Sequence, residues 1–322
     1  MEQQPEHHQV TATRHTLSAE WQEMRKKLDW MHAPGMRAYV NELVSSRPIE
    51  DGGHWAAYAR REHIQPLANS AAGSPTLSML SLGSGSGHIE ATLLGQHAWP
   101  ISRLVGLEYD SSLRTHASSR FGQDFPLVST EFKAFDFNHP VELDEQFDVV
   151  FCCHAIHHAT DLEAFLPAVN RYLKDDGIFV GIDFFGPTRF QIEHDVLPII
   201  IELFDLLPPS FRRDLRDNEG AITERFEVGT IKEVRDADVS ESVRSSDLRT
   251  LLFSNFPVVD MKPMGGTLLR WLLQYRAGNF FADNPDHVAI VRLLQIIERE
   301  MIASKKIRSD DLFFVLRKSN RL

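Results

Sequence analysis

An apolar run, Met79-Leu80-Ser81-Leu82, meets three alternate glycines, Gly83, Gly85 and Gly87. An apolar-periodic segment follows, with Ile89, Leu93 and Leu94. Glycine has no Cβ, so the backbone can bend sharply and a ligand can lie almost against it. A helix start just beyond adds unpaired N–H groups. Roughly 20 residues on stands Glu108, an acid placed to accept hydrogen bonds from both hydroxyls of a ribose. Asp136, between Phe135 and Phe137, suits the exocyclic amine of an adenine sandwiched by apolar neighbours. An ordinary loop aspartate explains it equally. His154, His157 and His158 close another apolar run, and histidine exchanges protons near neutral pH. They are candidate bases, with structural filling as the alternative. Three histidines can also ligate zinc. No carboxylate or thiol pattern beside them completes a metal signature, so no metal is expected. Asp183, before Phe184, Phe185 and Arg189, could orient an acceptor, act as a base, or cap the next turn.

These side chains can cooperate only if strands and helices bring them to one edge. The run ending at Leu82 reads as a buried strand, then a tight turn and a helix. Leu104–Glu108, Phe132–Phe135, Phe147–Cys153 and Ile178–Asp183 read as further strands. Ser111–Phe121 and Asp161–Leu173 read as helices between them, and Asp175-Asp176-Gly177 as a turn. This alternation predicts a doubly wound parallel sheet, whose ligands sit beyond the carboxyl ends of the strands. Met1–Thr16 is polar and expected to fray. Ala19–Leu43, with Trp21 and a break at Pro34-Gly35, and Trp55–Leu67 have helical spacing, around a turn at Asp51-Gly52-Gly53. Trp55 and Tyr58 could close over a ligand as a lid or simply pack.

After Gly186-Pro187 the rhythm breaks. Arg189–Leu207 reads as one long apolar helix with Glu193 and His194 on its first turns. Its stripe suits core, a homodimer contact or a pocket wall. Residues 212–244 read as a charged stretch with few element cues, and Arg225, Arg235 and Arg244 as a solvated face or an anion contact. Asp247–Phe253 resumes as a helix and Val258–Lys262 as a strand. Leu268–Tyr275 and Asp286–Ser304 follow as helices and Asp311–Leu316 as the last strand. The expected division is residues 1–70 as a helical lid, 71–186 with 246–322 as the core, 187–245 as a cap, and 265–305 as a helical insertion.

Bulk composition narrows the field. The 322 residues carry a net charge of −11, which argues against non-specific nucleic-acid or anionic-membrane binding. Two adjacent cysteines, Cys152 and Cys153, offer no disulfide framework and suit a reducing cytoplasm. The apolar tract near Val196–Ile201 contains Pro198 and ends at Glu202, too short to span a bilayer.

Taken in order, the glycine turn, Glu108, Asp136 and Phe147-Asp148-Val149-Val150 through His157-His158 resemble the class I S-adenosylmethionine-dependent methyltransferases. The resemblance covers roughly Leu77 to Ile182. It implies a Rossmann-like α/β fold: a mostly parallel seven-stranded sheet with an antiparallel last strand, plus helical amino-terminal and cap segments. It also implies S-adenosylmethionine as cofactor and S-adenosylhomocysteine as product. Gly83, Gly85 and Gly87 would cradle the methionine part and the ribose, and Glu108 with Tyr109 would hold the ribose end. Asp136 and Phe137 would read the adenine, and Cys153 and His154 would line the cofactor. Ser81 stands where the family usually has an acid, so another carboxylate must substitute or affinity must fall.

The expected activity is methyl transfer to a small-molecule acceptor in specialised metabolism. Oxygen is favoured because His154, His157 and Asp183 are available as bases. A nicotinamide-dependent oxidoreductase shares the turn and the acid, but its fingerprint needs G-x-G-x-x-G rather than alternate glycines. A non-catalytic S-adenosylmethionine-binding subunit is the third reading.

Overall fold

The computed structural model describes residues 27–48, 53–70, 75–216, 220–320 and 322. The expectations for Met1–Thr16, Trp21 and the Asp51-Gly52 turn lie outside them. Seven strands form one sheet in the order β3-β2-β1-β4-β5-β7-β6. They are β1 (Leu77–Leu82), β2 (Ile101–Glu108), β3 (Ser129–Ala134), β4 (Phe147–Cys153), β5 (Leu173–Phe184), β6 (Val258–Pro263) and β7 (Asp311–Arg317). The first five run parallel, and β7 is antiparallel to both β5 and β6. The chain order reverses between β1 and β4, so their carboxyl ends open the crevice where ligands of such sheets bind.

Successive side chains on a strand point to opposite faces, and two apolar cores follow from that rule. Met79, Phe151, Phe313 and Val315 face one core with the amino-terminal helices, while Leu80, Val150, Phe314 and Leu316 face the other with Phe165 and Leu252. Strands buried on both faces read as continuous apolar runs. That is why β1 and β4 were recognisable.

Four departures from expectation precede the charged stretch. First, helix α1 spans Met36–Ser45 and is preceded by a 3-10 turn at Trp30–His32; Gly35, with φ 72°, breaks the two apart. Second, Trp55–Ala59 (α2) and Gln65–Ser70 (α3) are joined by a π-helical turn at Arg60–Ile64. Trp55 stacks on Phe151, while the Tyr58 hydroxyl donates to Asp260 at 2.7 Å. Both pack on the sheet rather than forming a lid. Third, α4 (His88–Gly95), α5 (Ser111–Asp124) and α6 (Leu162–Tyr172) lie between the strands, but Asp175-Asp176-Gly177 is no separate turn. It sits within β5, whose register against β4 shifts there while Leu173 still pairs with Phe147. Fourth, α7 spans only Leu197–Leu206. Pro198 starts it rather than interrupting it, since proline's missing N–H costs nothing in a first turn. Arg189 and Phe190 both have positive φ, 62° and 53°, which keeps 189–196 from being helical.

The charged stretch contains a helix after all, α8 (Ile231–Ala237), opened by a capping box between Thr230 and Glu233. Beyond it come α9 (Ser245–Asn255), α10 (Leu269–Leu273) and α11 (Pro285–Ala303). Arg244 is tied to Glu163 and Asp247 at the surface.

Candidate active site

The glycine turn leaves β1 at the crevice. Gly83, Gly85 and Gly87 have φ of 68°, 53° and 69°, a region that side chains with a Cβ rarely enter. A Cβ on Gly83 would stand 2.6 Å from Ala155 Cβ, and one on Gly87 would stand 2.9 Å from the Phe121 ring. A Cβ on Gly85 would meet nothing within 4 Å. That middle glycine therefore faces open space, which is the cradle a ligand would fill. Glu108, at the tip of β2, points back at the same turn. One of its carboxylate oxygens accepts from Gly85 N and the other from Asp110 N, each at 2.9 Å. Tyr109 beside it is 79% exposed at the mouth of the crevice.

Ser81 is buried, and its hydroxyl donates to Glu90 on the first turn of α4 at 2.5 Å. Glu90 is itself buried, and its second oxygen, Oε2, has no hydrogen-bond partner among the described residues. Burial pushes its pKa up to about 7. A buried acid thus stands beside Ser81, on the helix that follows the turn. Sequence reasoning missed Glu90 because its place on a first turn looks like ordinary support of the helix dipole.

Asp136 makes a local turn, accepting from Asn138 N at 2.8 Å and facing His139 Nδ1 at 3.1 Å. Phe137 packs edge-on against Phe135 and Phe165, with its ring at the back of Gly83. Cys153 is half-buried, and its thiol is pushed well up by burial and then by the Glu90 charge.

His154 has φ 50° and is held by its N–H donating to Ile182 O at 2.8 Å. Its ring is accessible from a cavity yet ringed by protein, and that desolvation lowers its pKa. Asp183 is fully buried. Its carboxylate accepts from Ala155 N, Ile156 N and Phe184 N at 2.7–2.9 Å, and pairs with His157 Nδ1 at 2.5 Å. Asp183 therefore cannot touch an acceptor or take its proton; it is the positioning residue for His157 and for the loop after β4. Burial works against a charged His157, but Asp183 outweighs it and the pKa is raised. On the far side, His157 Nε2 lies 3.4 Å from Glu241 Oε1.

Of these groups, His154, His157 and Glu241 line a cavity of about 590 Å³ at the carboxyl ends of β4 and β5, joined there by His158. Its opposite wall comes from Trp30, Phe184 and Phe190, whose ring centres lie 5.1–5.4 Å from the Arg270 guanidinium. Arg270 pairs with Asp311 at the start of β7, and Asp311 Oδ1 and Arg270 Nε have no partner among the described residues. Trp30, Glu241, Arg270 and Asp311 were not legible as site residues. Each comes from a segment far from the glycine turn in sequence.

A doubly wound sheet with an antiparallel last strand, a left-handed glycine turn and an acid at the tip of the next strand defines the class I methyltransferase fold. Residues 80–179 match the family described as "Methyltransferase domain". These residues are a methyltransferase domain. An uncharacterized methyltransferase, YcgJ of Bacillus subtilis (strain 168), is 26% identical over 148 residues, 46% of this chain. The aligned part spans 56% of that relative's length. Among solved structures, an S-adenosylmethionine-dependent methyltransferase from Mesorhizobium loti has 16% identity, covering 82% of this chain and 96% of its own, at a TM-score of 0.42. The YcgJ structure has 18% identity, covering 80% and 98%, at a TM-score of 0.40.

Proposed function

We propose that the protein is an S-adenosylmethionine-dependent methyltransferase that methylates a small-molecule acceptor, with oxygen as the favoured acceptor atom and specialised metabolism as its setting. The residues present fit that cofactor: open space at Gly85, Glu108 at the strand tip, and an unpaired buried oxygen on Glu90. Gly83, Gly85 and Gly87 would hold its methionine part and ribose, Glu108 the ribose hydroxyls, and Asp136 with Phe137 the adenine. When bound, S-adenosylmethionine supplies an activated methyl group. The rest is positioning of an acceptor, which is where proximity does most of the work.

The observation that carries the acceptor reading is the 590 Å³ cavity and its proton-accepting wall. A cavity of that size suits a discrete small molecule. A hydroxyl held there can give its proton to the His157–Glu241 pair, and Asp183 keeps the His157 Nε2 lone pair turned inward. Phe184, Phe190 and Trp30 offer apolar contact, and Arg270 with Asp311 offers one polar pole. A homodimer through the exposed side of α7, at Ile201 and Leu206, and a cytoplasmic setting for the free Cys152 and Cys153 complete the proposal. No described helix is long and apolar enough to cross a membrane. The test is incubation with methyl-labelled S-adenosylmethionine and a panel of phenols, alcohols and amines, read by product mass. Labelled phenol or alcohol ethers support the reading; label found only on amines or carbon overturns the choice of oxygen.

A further inference from the structure

We propose that His157, His158 and Glu241 form a binding site for a divalent first-row transition-metal ion in the wall of the acceptor cavity. One ring nitrogen from each histidine and one Glu241 carboxylate oxygen lie within 4.8 Å of one another. His157 Nε2 and Glu241 Oε1 are 3.4 Å apart. Two ligands about 2.1 Å from a tetrahedral ion stand about 3.4 Å from each other, so this edge already has the length a metal needs. The other edges close by small turns of His158 and Glu241, neither of which is fully buried.

Hydrogen bonds aim the lone pairs. Asp183 takes the His157 Nδ1–H, which leaves Nε2 bare toward Glu241. Ser240 Oγ donates to Asp238 Oδ1 at 2.7 Å, so toward His158 Nδ1, 3.0 Å away, it accepts. His158 is thereby fixed with its Nε2 free. Partners of this kind orient metal-ligating histidines and raise their basicity. A neutral His157 then directs a lone pair at a carboxylate oxygen, and the two acceptors repel unless a cation lies between them. A proton relieves that pair alone. Glu241 Oε1 also accepts from Ser242 Oγ at 2.8 Å; a metal ion engages that oxygen and both histidines together, and displaces the proton on binding.

Imidazole and carboxylate donors suit zinc, cobalt(II), nickel(II) or iron(II). Three protein ligands with a cavity on the open side is the arrangement of a catalytic rather than a structural site. An acceptor hydroxyl reaching the open position would ionise more readily, its proton leaving to water. That last role rests on the methyltransferase reading; the ion site does not. Glu241 lies far along the chain from the two histidines, so no spacing signature announces it.

The test uses the full chain, stripped with chelator, titrated with Co²⁺ and followed by visible absorption. S-adenosylhomocysteine affinity is measured alongside by calorimetry. One Co²⁺ per chain with four- or five-coordinate bands, displaced by Zn²⁺, is expected. His158→Ala and Glu241→Gln should each weaken binding by more than the about 10–100-fold that loss of an outer partner costs, and Ser240→Ala by about tenfold. The amino-terminal His7, His8 and His15 are a rival site. Co²⁺ bands unchanged in both ligand variants would belong there and would overturn the proposal, as would no bands at all. Missing bands with intact S-adenosylhomocysteine binding removes the ion site alone. Intact bands with no S-adenosylhomocysteine binding removes the methyltransferase reading alone.

Discussion

Replacing Glu90 with glutamine should make the empty protein more stable and the cofactor site worse. Glutamine keeps the shape and the bond from Ser81 but cannot ionise. In the folded protein burial raises the Glu90 pKa from 4.5 to about 7. A raised acid pKa means that folding resists ionisation. The contribution of Glu90 to stability is complete below pH 4.5 and is lost as pH rises through 7. At 1.36 kcal/mol for each pH unit between those values, the loss amounts to about 3 kcal/mol. Glu90→Gln escapes it, so at pH 8 the variant should melt higher by about 5 °C and at pH 5 by about 1 °C or less. Binding should go the other way. A cationic ligand draws Glu90 into its ionised form, so wild-type affinity for S-adenosylmethionine should rise about tenfold from pH 6 to pH 8. The variant should bind about tenfold more weakly at pH 8, with no pH dependence from this source. Scanning calorimetry and isothermal titration at the two pH values read both effects. A variant that melts lower than wild type at pH 8, or a wild-type affinity equal at pH 6 and pH 8, would refute the reasoning.

Glu108→Gln removes a charged hydrogen-bonding partner and should weaken S-adenosylmethionine binding by about 10–150-fold, equivalent to about 1.5–3 kcal/mol, as calorimetric titration would show. Gly83→Ala places a Cβ 2.6 Å from Ala155 Cβ at a φ of 68°, so titration should show cofactor binding lost and melting should show about 1–3 kcal/mol of destabilisation. In chelator-stripped protein, activity should rise with pH through the raised pKa of His157, whose ring faces Asp183, Glu241, His158 and Asp311. Glu241→Gln removes one of the charges that hold the proton, so its pH–rate profile should turn on at lower pH. Ser81→Asp restores the family's usual acid but sets it against buried Glu90. Two carboxyls so close share one proton, so the variant should melt lower at pH 8 than at pH 5, as thermal scans would show.

The parts legible in the sequence are those governed by local rules. β1 and β4 are buried on both faces, so their apolar runs show directly. The glycine turn and Glu108 follow from strand-turn-helix geometry at fixed spacing. The cavity is different. Its walls come from Trp30, Glu241, Arg270 and Asp311, which long-range packing brings together and no short window contains. Asp183 was placed correctly at a strand end, yet its partners lie on the loop after β4, so only the folded chain shows that it positions His157. The start of α7 was misplaced because apolar spacing runs through 189–196, where positive φ at Arg189 and Phe190 keeps the chain out of a helix, and Pro198 was not read as a helix start. α8 went unseen although Thr230 and Glu233 stand at capping-box spacing. Charge around it masked a signal that was there.

Everything rests on the turn at Gly83–Gly87 and the tip of β2 enclosing one adenosine. Calorimetric titration with S-adenosylhomocysteine, repeated with a nicotinamide dinucleotide, tests this most directly. One S-adenosylhomocysteine bound per chain, sharply weakened by Glu108→Gln, with no heat from the dinucleotide, is the predicted result. Dinucleotide binding, or S-adenosylhomocysteine binding that ignores Glu108, would contradict it.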